Sequence, residues 1–158
     1  MEEFITDDYW LGSRTRPSPD NEGIFPGWKE ILMRDFDLNS QVHNTVVTGS
    51  LGIGKSWVCC VIILYRIALS RLLRNPGHFF GMSRGTEIYF SILSITRAAV
   101  RETVFGDAME FMAQSPFFRE VCGFNPDKKY TDNLIDLGNN ITVNAGSKGW
   151  HVIGKNMM

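Results

Sequence analysis

Cysteine is scarce in this chain. The 158 residues include only Cys59, Cys60 and Cys122, and none belongs to a C-x-x-C or a His/Cys cluster with metal-ligand spacing. That argues against a disulfide scaffold or a zinc-bound fold. Cys59 and Cys60 are adjacent and would point about 100° apart on a helix, so they are not expected to bridge each other. They read as reduced, small, buried residues of an intracellular protein. Long apolar runs are also missing. The longest, Trp57 to Tyr65, spans nine residues and stops at Arg66. A membrane span needs about 20, so this run is expected to be a core helix. The acidic start Met1-Glu2-Glu3-Phe4 has no secretory-signal pattern. Charge of one sign does not dominate either. Sixteen Lys and Arg against seventeen Asp and Glu give a net charge of −1, which excludes a strong global field for nucleic acid or an anionic membrane. It does not exclude DNA as a partner, because a basic surface can be local. No internal repeat or low-complexity tract is present.

What remains is an ordinary globular composition, 44% hydrophobic and 21% charged, long enough for one domain with a proper core. One motif stands out from it. Gly49-Ser50-Leu51-Gly52-Ile53-Gly54-Lys55-Ser56 fits G-x-x-x-x-G-K-[ST], the phosphate-binding loop of nucleoside triphosphatases. The spacing has a mechanism. Glycines let the backbone wrap around phosphates with its N–H groups turned inward. Lys55 would reach the β- and γ-phosphates as a mobile point charge. Ser56 would ligate Mg²⁺ and open a helix whose N-terminus favours anions. The flanks match that role. Val42-His43-Asn44-Thr45-Val46-Val47-Thr48 is rich in β-branched residues and reads as a strand. Ser56 to about Leu73 has no Gly or Pro and reads as a helix. The bland alternative is a Gly-rich turn between strand and helix, with Lys55 merely solvated.

Residues 1–25 read as a loop-like N-terminal arm, punctuated by Pro17, Pro19 and Gly23. Pro26 to Arg34 reads as a short helix entered through a proline. Its Trp28 could cover a nucleotide base or simply anchor the arm by apolar burial. The helix after the loop is apolar nearly all round and then amphipathic. Arg71 and Arg74 suit its C-terminal dipole or a solvated face, and Asn75-Pro76-Gly77 ends it. Thr86 to Ser94 reads as a second strand with Ile88, Phe90 and Ile92 on one face. A helix is expected from about Arg97 to Gln114, stopped by Ser115-Pro116. Leu134 to Leu137 and Ile141 to Ala145 read as a hairpin around Gly138-Asn139-Asn140, residues that tolerate positive φ. The fold class implied is α/β, a mainly parallel sheet with helices on both faces, of the phosphate-loop NTPase type and incomplete at the C-terminus.

Binding phosphate is not hydrolysing it. Hydrolysis needs a second acidic residue for Mg²⁺ and a carboxylate or glutamine to orient water. No run of four apolar residues followed by Asp-Glu occurs after residue 56. Glu87 precedes its strand, Asp136 sits in a hairpin arm, and Glu102 and Glu110 lie on a helix. None is a convincing catalytic acid, and the expectation is that the chain ends before that strand.

The order of these features resembles the N-terminal part of the ATPase domain of phage terminase large subunits. The resemblance covers about residues 20–158. It rests on Phe25-Pro26-Gly27-Trp28-Lys29, on Val47 to Ser56 opening an apolar helix with Tyr65, and on Asn75-Pro76. Further along, it rests on Glu87 to Phe90, Gln114 to Phe118, and Ala145-Gly146-Ser147 leading to Ile153-Gly154-Lys155-Asn156. It implies a partial ATPase domain over residues 26–158, truncated before the second acidic strand. It also implies ATP and Mg²⁺ as cofactors and the use of hydrolysis to translocate DNA into a capsid. Double-stranded DNA, a portal protein, a small terminase subunit and a homo-oligomeric ring would be the partners, in the host cytoplasm and without a membrane. By position, Lys155, with Lys148 nearby, resembles a basic residue that acts on a neighbouring subunit's nucleotide; lysine forks around phosphate less well than arginine. The alternatives are a helicase or kinase, or a nucleotide-binding fragment that does not hydrolyse.

Overall fold

The structure, a computed structural model, describes residues 1–19, 22–83, 85–94, 103–128, 130 and 134–147. Its elements run α1 (Glu2–Thr6), α2 (Gly12–Thr15), α3 (Pro26–Asp35), α4 (Lys55–Leu72), α5 (Pro76–Phe79), β1 (Ile88–Ser94), α6 (Val104–Gln114), α7 (Pro116–Glu120), β2 (Leu134–Asp136) and β3 (Ile141–Ser147).

Helix α4 is the longest of these, and its sequence explains its place. Val58, Cys60, Val61, Leu64, Tyr65, Ile67 and Ala68 are all buried, so apolar side chains cover most of its circumference. Such a helix must be enclosed. The N-terminal arm covers one side. Phe4 meets the Tyr65 ring edge-on at 5.2 Å, and the Met1 ammonium donates to the Tyr65 hydroxyl at 3.3 Å. Helix α6 covers another, with Trp57 and Phe111 edge-to-face at 5.5 Å. The α3 exit covers a third, where the Arg66 guanidinium lies over the Phe36 ring. Residues 1–25, read as loop-like from sequence, therefore carry α1 and α2. The Thr15 hydroxyl ties them together by donating to the Ile5 and Leu11 carbonyls.

The sheet has three strands in the order β1-β3-β2. β1 pairs with β3 in parallel, from Ile88↔Ile141 to Ser94↔Ser147. β2 pairs with β3 antiparallel, with Ile135 opposite Val143. The hairpin is where the sequence placed it. Gly138, Asn139 and Asn140 all take positive φ, and the Asp136 carboxylate accepts from the Gly138 N–H at 2.8 Å. Ile88, Ile92, Ile135, Ile141, Val143 and Ala145 enter the core from one face. Tyr89, Thr142 and Asp136 form a row across the other face, where Asp136 is exposed.

This corrects the expected fold class. The described elements form a mixed sheet, one parallel pair and one antiparallel, and not a mainly parallel sheet with helices on both faces. The expected strand before the loop is part of the difference. Residues 41–50 form neither helix nor strand. Only Val42 and Val47 among them are half-buried apolar residues, while Val46 is 86% exposed. β-Branched residues favour a strand only where a neighbouring strand supplies the ladder and a packed face. Neither is supplied to residues 42–48 by β1, β2 or β3. The helix expected from about Arg97 is seen from Val104; residues 97–102 lie outside the described set.

The C-terminal end of α4 is clamped to the hairpin. Arg71 donates from Nε to the Leu137 carbonyl at 3.1 Å and from Nη2 to the Val121 carbonyl at 2.9 Å. Asn139 donates from its side chain to the Leu73 carbonyl at 2.9 Å. Arg71 is thus neither solvated nor only a dipole partner. Hydrogen bonds from charged donors contribute about 1.5–3 kcal/mol. Arg71→Ala is expected to lower unfolding stability by roughly that amount in urea titration, with no loss of helix content in the native baseline. Cys122 lies beside this clamp. Burial pushes its thiol up to about 11 against an ordinary 9.0, with Arg71 pulling weakly the other way. The raised native value means that the unfolded chain loses its thiol proton first. Stability is therefore expected to fall as pH rises from 9 to about 11. Cys122→Ala should make that part of the pH–stability curve less steep, while the thiols of Cys59 and Cys60, also raised by burial, keep some slope.

Candidate phosphate-binding site

The loop Gly49–Ser56 leads directly into α4. Gly54 is the N-cap residue and sits in the left-handed region at φ 79°, a conformation that glycine adopts without penalty. From there α4 runs for 18 residues. No side chain caps it. Among the described residues, no turn or loop carbonyl accepts from the N–H groups of Gly52, Ile53, Gly54, Lys55 or Ser56. Helix geometry leaves the first N–H groups without intrahelical acceptors. These donors and the positive end of the dipole therefore fall within one short stretch of chain, and a helix N-terminus of this kind favours an anion.

Lys55 is half-buried and folds back across the loop. Its ammonium donates to the Gly49 carbonyl at 2.9 Å and to the Ser50 carbonyl. The cation is thus held over the first half of the loop by neutral acceptors alone. Ser56 is exposed at the first turn of α4. Leu51 is 98% exposed at the loop tip and makes no contribution to the core. The eight residues predicted from sequence are therefore brought together as one turn. The backbone N–H groups and the Lys55 ammonium are donors that an anion such as phosphate could use, and the Ser56 hydroxyl could supply one Mg²⁺ ligand. Among the described residues no group of three or more His, Cys, Asp or Glu could hold a metal ion by itself.

Trp28 joins the loop from α3. Its indole N–H donates to the Ile53 carbonyl at 2.6 Å. The ring is half-buried against the core. Neither sequence role considered for Trp28 included this bond, and no local signal could have shown it, because the partners lie 25 residues apart.

The acidic candidates are elsewhere engaged. Glu110 pairs with Arg14 at 2.8 Å. Asp136 forms the hairpin turn. Glu87 accepts from the Tyr89 hydroxyl. Glu87 and Asp136 share a cavity of about 500 Å³ on the open sheet face, with Lys128 as the cation in its lining. Two carboxylates against one ammonium make that cavity a poor place for a polyphosphate. Glu102, Lys148 and Lys155 lie outside the described residues. Comparison with protein-family models, with curated proteins and with solved structures finds no match.

The left-handed turn has a measurable consequence. Gly54→Ala places a Cβ at φ 79°. The change is expected to cost about 1–2 kcal/mol, the penalty for a non-glycine residue in that region. Thermal unfolding of the variant should show a midpoint lowered by several degrees.

Proposed function

We propose that this chain is the nucleotide-binding part of a DNA-packaging ATPase of the terminase large-subunit kind, with Mg-ATP held on Gly49–Ser56. The observation that supports the reading is the grouping, within eight contiguous residues, of N–H groups without a turn or loop acceptor among the described residues, a left-handed Gly54 and the Lys55 ammonium. Backbone N–H groups from Gly52 to Ser56 would donate to oxygens of the β- and γ-phosphates. Lys55 would leave the Gly49 and Ser50 carbonyls for phosphate oxygens, because an ammonium–phosphate pair adds the attraction of opposite charges to the hydrogen bond. The Ser56 hydroxyl would ligate Mg²⁺. When bound, that ion would supply charge neutralisation at the phosphates. DNA, portal, small-subunit and ring contacts belong to this reading through the sequence resemblance.

A second reading is favoured by a specific observation. Glu87, Glu110 and Asp136 each have a structural partner away from the loop. The 158-residue chain would then bind nucleotide without turning it over. Titration calorimetry with Mg-ATP tests the first reading. Lys55→Ala should weaken binding by about 10- to 100-fold, the equivalent of one charged hydrogen bond lost. Equal affinity in the variant would overturn the phosphate-loop assignment. A phosphate-release assay separates the second reading, which expects no turnover above buffer.

A further inference from the structure

The bond from Trp28 to the loop does more than anchor the arm. Helix α3 begins at a proline and is packed on the core at its C-terminal end. Pro26 stands in its first turn, and the Lys29 N–H donates to the Phe25 carbonyl at 3.0 Å. Leu32 is fully buried, and Phe36 at the C-cap packs under Arg66 of α4. Trp28 therefore projects from a helix packed on the core through Leu32 and Phe36. Its Nε1 lies 3.7 Å from where a Cβ on Gly54 would stand, so the indole edge rests against that residue as well as on the Ile53 carbonyl.

A trans peptide unit points its C=O and its N–H in opposite directions. The described chain has no cis peptide. The carbonyl of Ile53 and the N–H of Gly54 belong to one such unit. Holding the carbonyl toward Trp28 therefore turns the Gly54 N–H away from it. We propose that Trp28 is a positioning residue for the phosphate loop: by fixing the Ile53–Gly54 peptide plane it aims the Gly54 N–H at the phosphates. The inference rests on the phosphate-loop reading above. It replaces the idea that Trp28 covers a nucleotide base with a role that needs no base at all.

That difference supplies the test. Inorganic tripolyphosphate carries the phosphates of ATP without its base. Calorimetry on the full 158-residue chain compares Mg-ATP and Mg-tripolyphosphate, for the wild type and for Trp28→Phe, which keeps a ring and removes the donor. Both ligands should lose affinity by a similar factor, about 3- to 10-fold, as for one hydrogen bond. The Gly54 amide resonance in ¹H–¹⁵N spectra should shift, while the resonances of α6 stay in place. If Trp28→Phe does not fold, replacing Trp28 with 3-benzothienylalanine removes only the N–H and carries the same expectation. Loss confined to ATP would assign Trp28 to the base and overturn the proposal. Unchanged affinity for both ligands, with wild-type binding intact, would overturn it and leave the phosphate loop standing. A wild-type chain that binds neither ligand would overturn the loop reading and this proposal with it.

Discussion

The need to bury α4 organises the molecule. Its buried residues Val58, Cys60, Val61, Leu64, Tyr65, Ile67 and Ala68 occur on several sides of the helix. Full burial of one large apolar side chain contributes roughly 1.5–3 kcal/mol. No single neighbour can cover such a cylinder, so the chain supplies four. The N-terminal arm packs at Tyr65, α6 at Trp57, the α3 exit at Arg66, and the sheet through β3. The hairpin is then fastened to the far end by Arg71 and Asn139. Enclosure on this scale fixes where α4 begins, and hence where the loop's N–H groups sit.

Much of this was legible in the sequence because it is local. The apolar run after Ser56, the alternation of Ile88, Phe90 and Ile92, and the Gly138-Asn139-Asn140 turn each carry their instruction within a few residues. Lys55 and Gly54 were legible for the same reason, since loop and helix are contiguous. What was not legible depends on distance. Arg71 reaches a carbonyl 66 residues on, and Trp28 one 25 residues on. Helices α1 and α2 have five and four residues, too few to show a period. They persist through tertiary bonds such as the Thr15 hydroxyl, not through propensity.

The stretch from Val42 to Thr48 failed as a strand for a related reason. Composition can favour extended backbone, but a strand is a relation between two segments. β3 lies between β1 and β2, and neither outer strand takes residues 42–48 as a neighbour. The loop is therefore supported unequally. Its second half is built into α4 and touched by Trp28. Its first half follows an irregular, mostly exposed segment and is tied back by Lys55.

That asymmetry decides how costly it is for Lys55 to change partners. A buried carbonyl stripped of its donor would lose about 1–3 kcal/mol. Gly49 and Ser50 are exposed, so water can replace the ammonium on both carbonyls and most of that penalty does not arise. The Ile53 carbonyl is different, since its partner is the edge of a half-buried indole held by α3. Breaking that bond would disturb apolar packing as well as a hydrogen bond. The two ties on the loop are thus of opposite kinds. The lysine tie is readily exchanged for another acceptor, and the tryptophan tie costs more to break. On the proposed reading, such a pair of ties would let the loop admit a charged ligand without losing its shape.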